Sequence, residues 1–290
     1  MNNPFDEKNT GEDEIFLIRE SVRGERVSLE KLVLRHQAWI YNIAFKMVMD
    51  HDDASDITQE ILVKMITGLA TYNPEKAQFR TWLYRIAVNH IINMKKKKFE
   101  VRIYDFDRYV SLIEKLPDNR SFAGPDAELL AEELKVGCMM GMVMCLNRRE
   151  RLVFILGGIF RVTDTVGSEL MDISRDNFRK ILSRSSEKVY SHMNGVCGHI
   201  NPENKCRCSL KTKAFADMGM LSPANLRYHK PGNDRVRDVI SSRFEEFDRS
   251  WYGPFIDQFR DQPFYNSPDM VHWLKGMLGC EEFRDLFEVH

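Results

Sequence analysis

Apolar side chains in this chain recur every three to four residues, and no clear alternating strand pattern interrupts them. From Leu29 to Val48 the apolar side is Leu29, Leu32, Val33, His36, Ile40, Ile43 and Met47. From Ala54 it is Ala54, Ile57, Ile61, Leu62, Met65 and Leu69. A third stretch, Phe79 to Lys98, turns Phe79, Leu83, Ile86, Ala87 and Ile91 inward. Stripes of this period are buried by packing helices on helices, so the expected fold class is all-α.

Breaks in the pattern divide the chain. Asp50 to Asp53 offers N-cap oxygens, and Tyr72-Asn73-Pro74-Glu75-Lys76 reads as a turn. Pro117, Gly124 and Pro125 lie in a polar setting that reads as a flexible linker. Beyond it, Asn147 and Glu150 have capping-box spacing, and Gly157-Gly158 reads as a helix end. A helix from Thr163 to Met171, a turn at Asp172-Ile173-Ser174 and a helix from Ser174 to Met193 form a helix-turn-helix pattern. The expected units are an acidic segment 1–28, a helical domain 29–103, a linker 104–126, a helix-turn-helix domain 127–195 and a helical C-terminal extension 196–290.

The formal net charge is -1, so bulk charge does not single out nucleic acid. Its distribution does. Residues 1–30 hold eight acidic and four basic side chains, residues 76–103 hold eight basic and one acidic, and residues 232–290 hold twelve acidic and seven basic. A local basic patch steers toward phosphates whatever the total. No basic-then-apolar leader is visible at the start, and the longest apolar run, Val153 to Phe160, is far short of a bilayer span, so no membrane insertion is expected. Six cysteines are too sparse for a disulfide scaffold and fit a reduced, cytoplasmic setting.

Three constellations carry chemistry. Asp53, Asp56, Gln59 and Glu60 give the second helix an acidic outer face suited to a basic protein partner, although acids at a helix start also answer the helix dipole. On the third helix Arg80, Trp82, Tyr84, Arg85 and Asn89 mix rings with cations. That mixture suits single-stranded DNA, where rings stack on bases and guanidinium groups hold phosphates, but Trp82 would serve equally as core. Lys95 to Lys98 extends the basic surface. The last helix of the helix-turn-helix offers Arg175, Asn177, Arg179, Lys180, Ser183, Arg184 and Lys188 for base edges and phosphates; a charged helical hairpin is the plainer reading.

Together these residues resemble the extracytoplasmic-function sigma factors of bacterial RNA polymerase. His36 through Lys98 is similar to that family's second region, on Asp53-Ala54-Ser55-Asp56-Ile57-Thr58-Gln59-Glu60 and on Phe79-Arg80-Thr81-Trp82-Leu83-Tyr84-Arg85-Ile86-Ala87-Val88-Asn89. Leu146 through Met193 is similar to the fourth region, on Ile173-Ser174 and Leu182-Ser183-Arg184. The resemblance implies a non-enzymatic polymerase subunit. The Asp53–Glu60 helix would bind the clamp helices of core RNA polymerase. The Asn73–Lys76 loop and the helix after it would open and hold the minus-ten element, and the recognition helix would read the minus-thirty-five element. It leaves room for an anti-sigma factor as a further partner. Two features depart from the pattern. Gly167 sits mid-helix, where glycine costs about 1 kcal/mol, and Asp172 stands where the turn usually has glycine. About a hundred residues also follow Met193, where a minimal member would stop.

That extension opens with Cys197, His199, Cys206 and Cys208, a set able to hold a structural zinc ion or simply to be reduced thiols in a turn. No cofactor is required by this reading. Trp251, Tyr252, Phe255, Phe259, Trp273, Leu274, Phe283 and Phe287 give the remainder apolar groups to bury. Two other functions compete. A stand-alone helix-turn-helix regulator would leave the Phe79–Asn89 motif unused. A metal-dependent nucleic-acid enzyme at the cysteines would need a general base, and none stands out.

Overall fold

Each apolar stripe becomes a helix that buries it. The computed structural model describes residues 3–5, 12–97, 100, 105–118, 126–228, 233–240 and 253–278. In chain order the helices are α1 (Glu12–Val22), α2 (Arg26–Val48), α3 (His51–Gly68), α4 (Phe79–Asn93), α5 (Phe106–Lys115), α6 (Ala127–Met144) and α7 (Arg148–Val153). A π-helical turn (Phe154–Ile159) continues α7; then come α8 (Asp164–Met171), α9 (Arg175–Val196), α10 (Cys208–Asp217), α11 (Val236–Val239), α12 (Gly253–Arg260) and α13 (Met270–Leu278). Strands β1 (Asp234–Arg235) and β2 (Pro263–Phe264) pair antiparallel, Asp234 opposite Phe264.

The first three stripes lie inside as expected: every apolar position read for α2 and α3 is buried, and on α4 only Ile86 is half-buried. Glu25 caps α2 by accepting the Val27 and Ser28 N–H groups, and Asp50 caps α3 by accepting those of Asp52 and Asp53. Helix α4 stops at Asn93, short of the lysine run. The Arg148 guanidinium donates to the Ile92, Met94 and Lys95 carbonyls, satisfying acceptors a helix would have used. Lys98 lies outside the described residues.

The stretch read as a linker carries α5. Its Phe106, Tyr109, Val110 and Ile113 have helical spacing and pack on the core, and Phe106 stacks on His192 at 4.2 Å. The capping box at Asn147 and Glu150 forms. Gly157 and Gly158 do not end that helix; they run inside the π-helical turn, where a Cβ on Gly157 would lie 2.8 Å from Leu182. Thr163 caps α8, Asp172 leaves it with φ of 52°, and Ser174 caps α9, so the helix-turn-helix geometry is met with aspartate in the left-handed position.

The C-terminal extension packs back on the rest. Helix α10 lies against α6. The Asn42 amide donates to the Tyr265 carbonyl at 2.7 Å and its Oδ1 accepts the Tyr265 N–H at 2.8 Å, which seats β2 on α2. Arg260 donates to the Gly158 carbonyl at 3.0 Å. Phe255, Phe259 and Leu274 are buried and Trp273 half-buried, and one apolar core runs from Phe5 to Leu274. Trp251, Tyr252, Phe283 and Phe287 lie outside the described residues.

Candidate nucleic-acid and protein interface

Helix α3 turns its apolar stripe to α2 and α4 and leaves Asp56 and Glu60 exposed, with Asp53 and Gln59 half-buried. Lys97 reaches Asp53 at 3.2 Å, and His90 bridges the two helices, with Glu60 at 3.1 Å on Nε2 and Lys64 at 2.7 Å on Nδ1. Burial, then the Lys64 charge, hold the imidazole below its ordinary pKa. The acidic face is therefore exposed along Asp56 and Glu60 and tied down at its two edges.

The α4 motif divides. Arg85 and Asn89 are exposed and Arg80 is half-buried. Trp82 is half-buried, stacked on Phe79 at 5.4 Å, and the Gly68 position leaves room for its indole. Tyr84 is a correction. It is 1% exposed, its ring 4.7 Å from Phe5 and its hydroxyl facing His36, so it has no free face for a base. Residues 3–5 cover it, a contact between distant parts of the chain that helical spacing cannot display. Asn73 and Lys76 are exposed in the turn before α4, where the Asn73 Oδ1 accepts the Glu75 N–H at 2.8 Å.

On α9, Arg175, Asn177, Arg179, Lys180, Ser183 and Arg184 are all exposed, while Phe178, Leu182 and Val189 are buried. Arg179 pairs with Asp164 of α8. Helix α8 also lies against α4: Arg85 reaches Asp172 at 3.5 Å, and a groove of about 780 Å³ between them is lined by Lys76, Arg80, Arg85, Glu169, Asp172 and Ser174. The α4 and α9 cations thus belong to adjoining units, and the acidic α3 face stands beside them.

Cys197 and Cys206 are partners in a parallel backbone bridge, and both line a small cavity with Cys208, His199 and Cys138 of α6. His199 is exposed, whereas the four thiols are half-buried and free. Cys138 was not singled out in the sequence, because its approach depends on α6 packing against the end of α9. Among the described residues no group of three or more His, Cys, Asp or Glu side chains is placed so that it could hold a metal ion. Among the same residues no helix is long and apolar enough to cross a membrane.

Residues 32–99 match the Sigma-70 region 2 family. Over 80 residues the chain is 35% identical to the RNA polymerase sigma-H factor of Pseudomonas aeruginosa, covering 28% of this chain and 41% of that protein. It is 29% identical over 85 residues to the ECF RNA polymerase sigma factor SigE of Mycolicibacterium smegmatis, covering 28% and 32%. A longer match, 24% identical over 164 residues, joins it to the RNA polymerase sigma factor YlaC of Bacillus subtilis, covering 57% and 84%. The chain thus spans less than half the length of the first two relatives. The solved structure of CnrH in complex with the cytosolic domain of CnrY aligns with a TM-score of 0.47 at 17% identity, over 63% of this chain and 99% of that one. The chain carries a sigma-70 region 2 domain over residues 32–99 and resembles the extracytoplasmic-function type of RNA polymerase sigma factor.

Proposed function

We propose that this protein is a cytoplasmic, non-enzymatic subunit that binds core RNA polymerase, recognises and melts promoter DNA and so starts transcription. Residues 29–103 act as the polymerase-docking and minus-ten unit, residues 127–195 as the minus-thirty-five unit, residues 104–126 join them, and residues 196–290 are an added module. Asp53, Asp56, Gln59 and Glu60 dock the polymerase. Asn73, Lys76, Arg80, Trp82, Arg85 and Asn89 engage the opened strand. Arg175, Asn177, Arg179, Lys180, Ser183 and Arg184 engage the upstream duplex.

The observation that carries this reading is the pairing, within residues 32–99, of an exposed acidic face on α3 with a ring-and-cation motif on α4. A helix-turn-helix regulator acting alone has no use for that pair, and an enzyme at the cysteines still lacks a base. An anti-sigma factor would compete for the same faces.

The test is transcription in vitro with core polymerase on a genomic promoter library. Specific transcripts are expected from the wild-type chain. Asp56→Lys with Glu60→Lys should abolish co-purification with core while helicity is unchanged. Arg179→Ala or Lys180→Ala should weaken upstream duplex binding, by about 1–3 kcal/mol if the side chain reads a base. Trp82→Ala should instead remove permanganate reactivity at the minus-ten element. Duplex binding without any polymerase-dependent transcript would favour the stand-alone regulator.

A further inference from the structure

A second cleft, of about 740 Å³, opens between α3 and α4. Helix α3 gives it Ile57, Glu60 and Lys64, and α4 gives it Ile86, Asn89, His90 and Asn93. The segment after α4 closes it with Met94, Lys95 and Lys97.

Three ammonium groups and one carboxylate line the cleft, so its field is positive. Lys97 is neutralised by Asp53 at 3.2 Å. Lys64 instead donates to the His90 Nδ1 at 2.7 Å, and among the described residues neither it nor Lys95 has a carboxylate partner. Burial first, then the Lys64 charge with Lys97 adding to it against Glu60, holds the imidazole below its ordinary pKa. The ring is therefore neutral at pH 7 and adds no charge of its own. A helix C-terminus would normally turn negative potential on such a cleft. Here Arg148 covers it, donating to the Ile92 and Lys95 carbonyls at 3.1 Å each, so this end does not repel an anion.

The uncharged lining selects what the anion is attached to. Ile57, Ile86 and Met94 give an apolar floor, and Asn89 is exposed beside it. A carboxamide offers a base edge one acceptor and a pair of donors, and the floor gives a flat ring a surface to cover. Asn93 turns its amide N–H to the Asn89 carbonyl at 2.9 Å and keeps Oδ1 as an acceptor. The volume is in the range of sites for small ligands. A nucleic-acid strand fits less well. Glu60 on the rim and Asp56 one turn earlier on α3 are both exposed, and a strand's repeating phosphates would meet them.

We infer that this cleft is a binding site for a nucleoside di- or triphosphate, with Lys64 and Lys95 on the phosphates, Asn89 on the base edge and the ring on Ile86 and Met94. Binding draws the Lys64 ammonium toward the phosphates and away from His90, whose other ring nitrogen stands 3.1 Å from Glu60. The ligand thus acts on one of the acidic residues assigned to polymerase docking. The site stands independently of the promoter reading; only its effect through Glu60 rests on it.

Titration calorimetry of the full-length chain with ATP at physiological salt, without polymerase, tests the site. One equivalent should bind, and pyrophosphate should compete more weakly. Lys64→Ala and Lys95→Ala should each weaken ATP binding by about tenfold, and both side chains are exposed, so neither change threatens the fold. Asn89→Ala should weaken ATP and leave pyrophosphate unchanged. Lys205→Ala, exposed in the extension, should change neither. A short single-stranded oligonucleotide is the rival polyanion, and its affinity should not follow Lys64→Ala. No saturable ATP binding, or ATP affinity indifferent to Lys64→Ala and Lys95→Ala, would overturn the assignment. ATP bound no more tightly than pyrophosphate would overturn the nucleoside. An oligonucleotide that loses as much affinity as ATP in Lys64→Ala would make the cleft part of a strand path and overturn the small-molecule site.

Discussion

Lys46 is 1% exposed on α2, and its ammonium meets the Gln262 Oε1 at 3.4 Å. One long neutral hydrogen bond does not replace the water lost, and burial drives its pKa down to about 7. The free side chain titrates near 10.4. Between those values the unfolded chain binds a proton that the folded chain does not, so folding stability rises with pH across that window. Below about pH 7 the full penalty applies, and above about 10.4 it is gone. Lys46→Met should raise stability at pH 6 by about 1–4 kcal/mol and flatten the rise. Urea denaturation at pH 6, 8 and 10 reads both, and an unchanged pH slope would contradict the assignment of the proton to Lys46. The apolar stripes that hold this lysine were legible one residue at a time, because period and hydrophobicity are local. Tyr84 and Cys138 were not. The first is buried by residues 3–5 and the second faces a loop about sixty residues later, contacts that spacing within one helix does not encode.

Among the elements, the helix-turn-helix shows how a residue that breaks a local rule can serve its packing. Gly167 costs α8 helix propensity, and the sequence alone marks it as a departure. A Cβ there would lie 2.4 Å from the buried Phe178 ring of α9, so the glycine sets how closely the two helices approach. Gly167→Ala gains about 1 kcal/mol of propensity and meets overpacking of about 1–3 kcal/mol, for a net loss. Gly195, on the same α9, has nothing within 4 Å of the Cβ it would gain, so Gly195→Ala should stabilise by roughly 0.5–1 kcal/mol. Opposite shifts in Tm are the expected outcome; a stabilised Gly167→Ala would mean that Phe178 moves aside freely. The capping box at Asn147 and Glu150 was readable in advance because a cap is satisfied within three residues. The early end of α4 was not, since the group satisfying its carbonyls is Arg148, from another helix.

Across the whole molecule the region 2 unit and the helix-turn-helix unit share a buried ionic joint. The Glu100 carboxylate, 5% exposed, receives Arg148 through Nε at 2.9 Å and Nη2 at 2.7 Å, and Arg151 through Nη1 at 3.1 Å. Arg151 also donates to the Met47 carbonyl at 2.8 Å and the Met144 carbonyl at 2.9 Å, so one guanidinium spans α2, Glu100 and α6. Burial alone would raise the Glu100 pKa. The Arg148 hydrogen bonds, the Lys97 amide and the Arg151 charge outweigh it and hold the carboxyl below its ordinary range. A carboxyl lowered in the folded state contributes stability that is present above its unfolded pKa of about 4.3 and is lost as pH falls through the folded value. Glu100→Gln keeps the shape, removes the charge and leaves two largely buried cations facing each other, at a cost of about 3–5 kcal/mol. Because the joint links α4 to α7, native-state hydrogen exchange should show both helices losing amide protection together in that variant. Its unfolding free energy should also fall less steeply than the wild type's below pH 4. Loss of protection in α7 alone would mean that the units are joined elsewhere, through the α4–α8 contact and its Arg85–Asp172 pair.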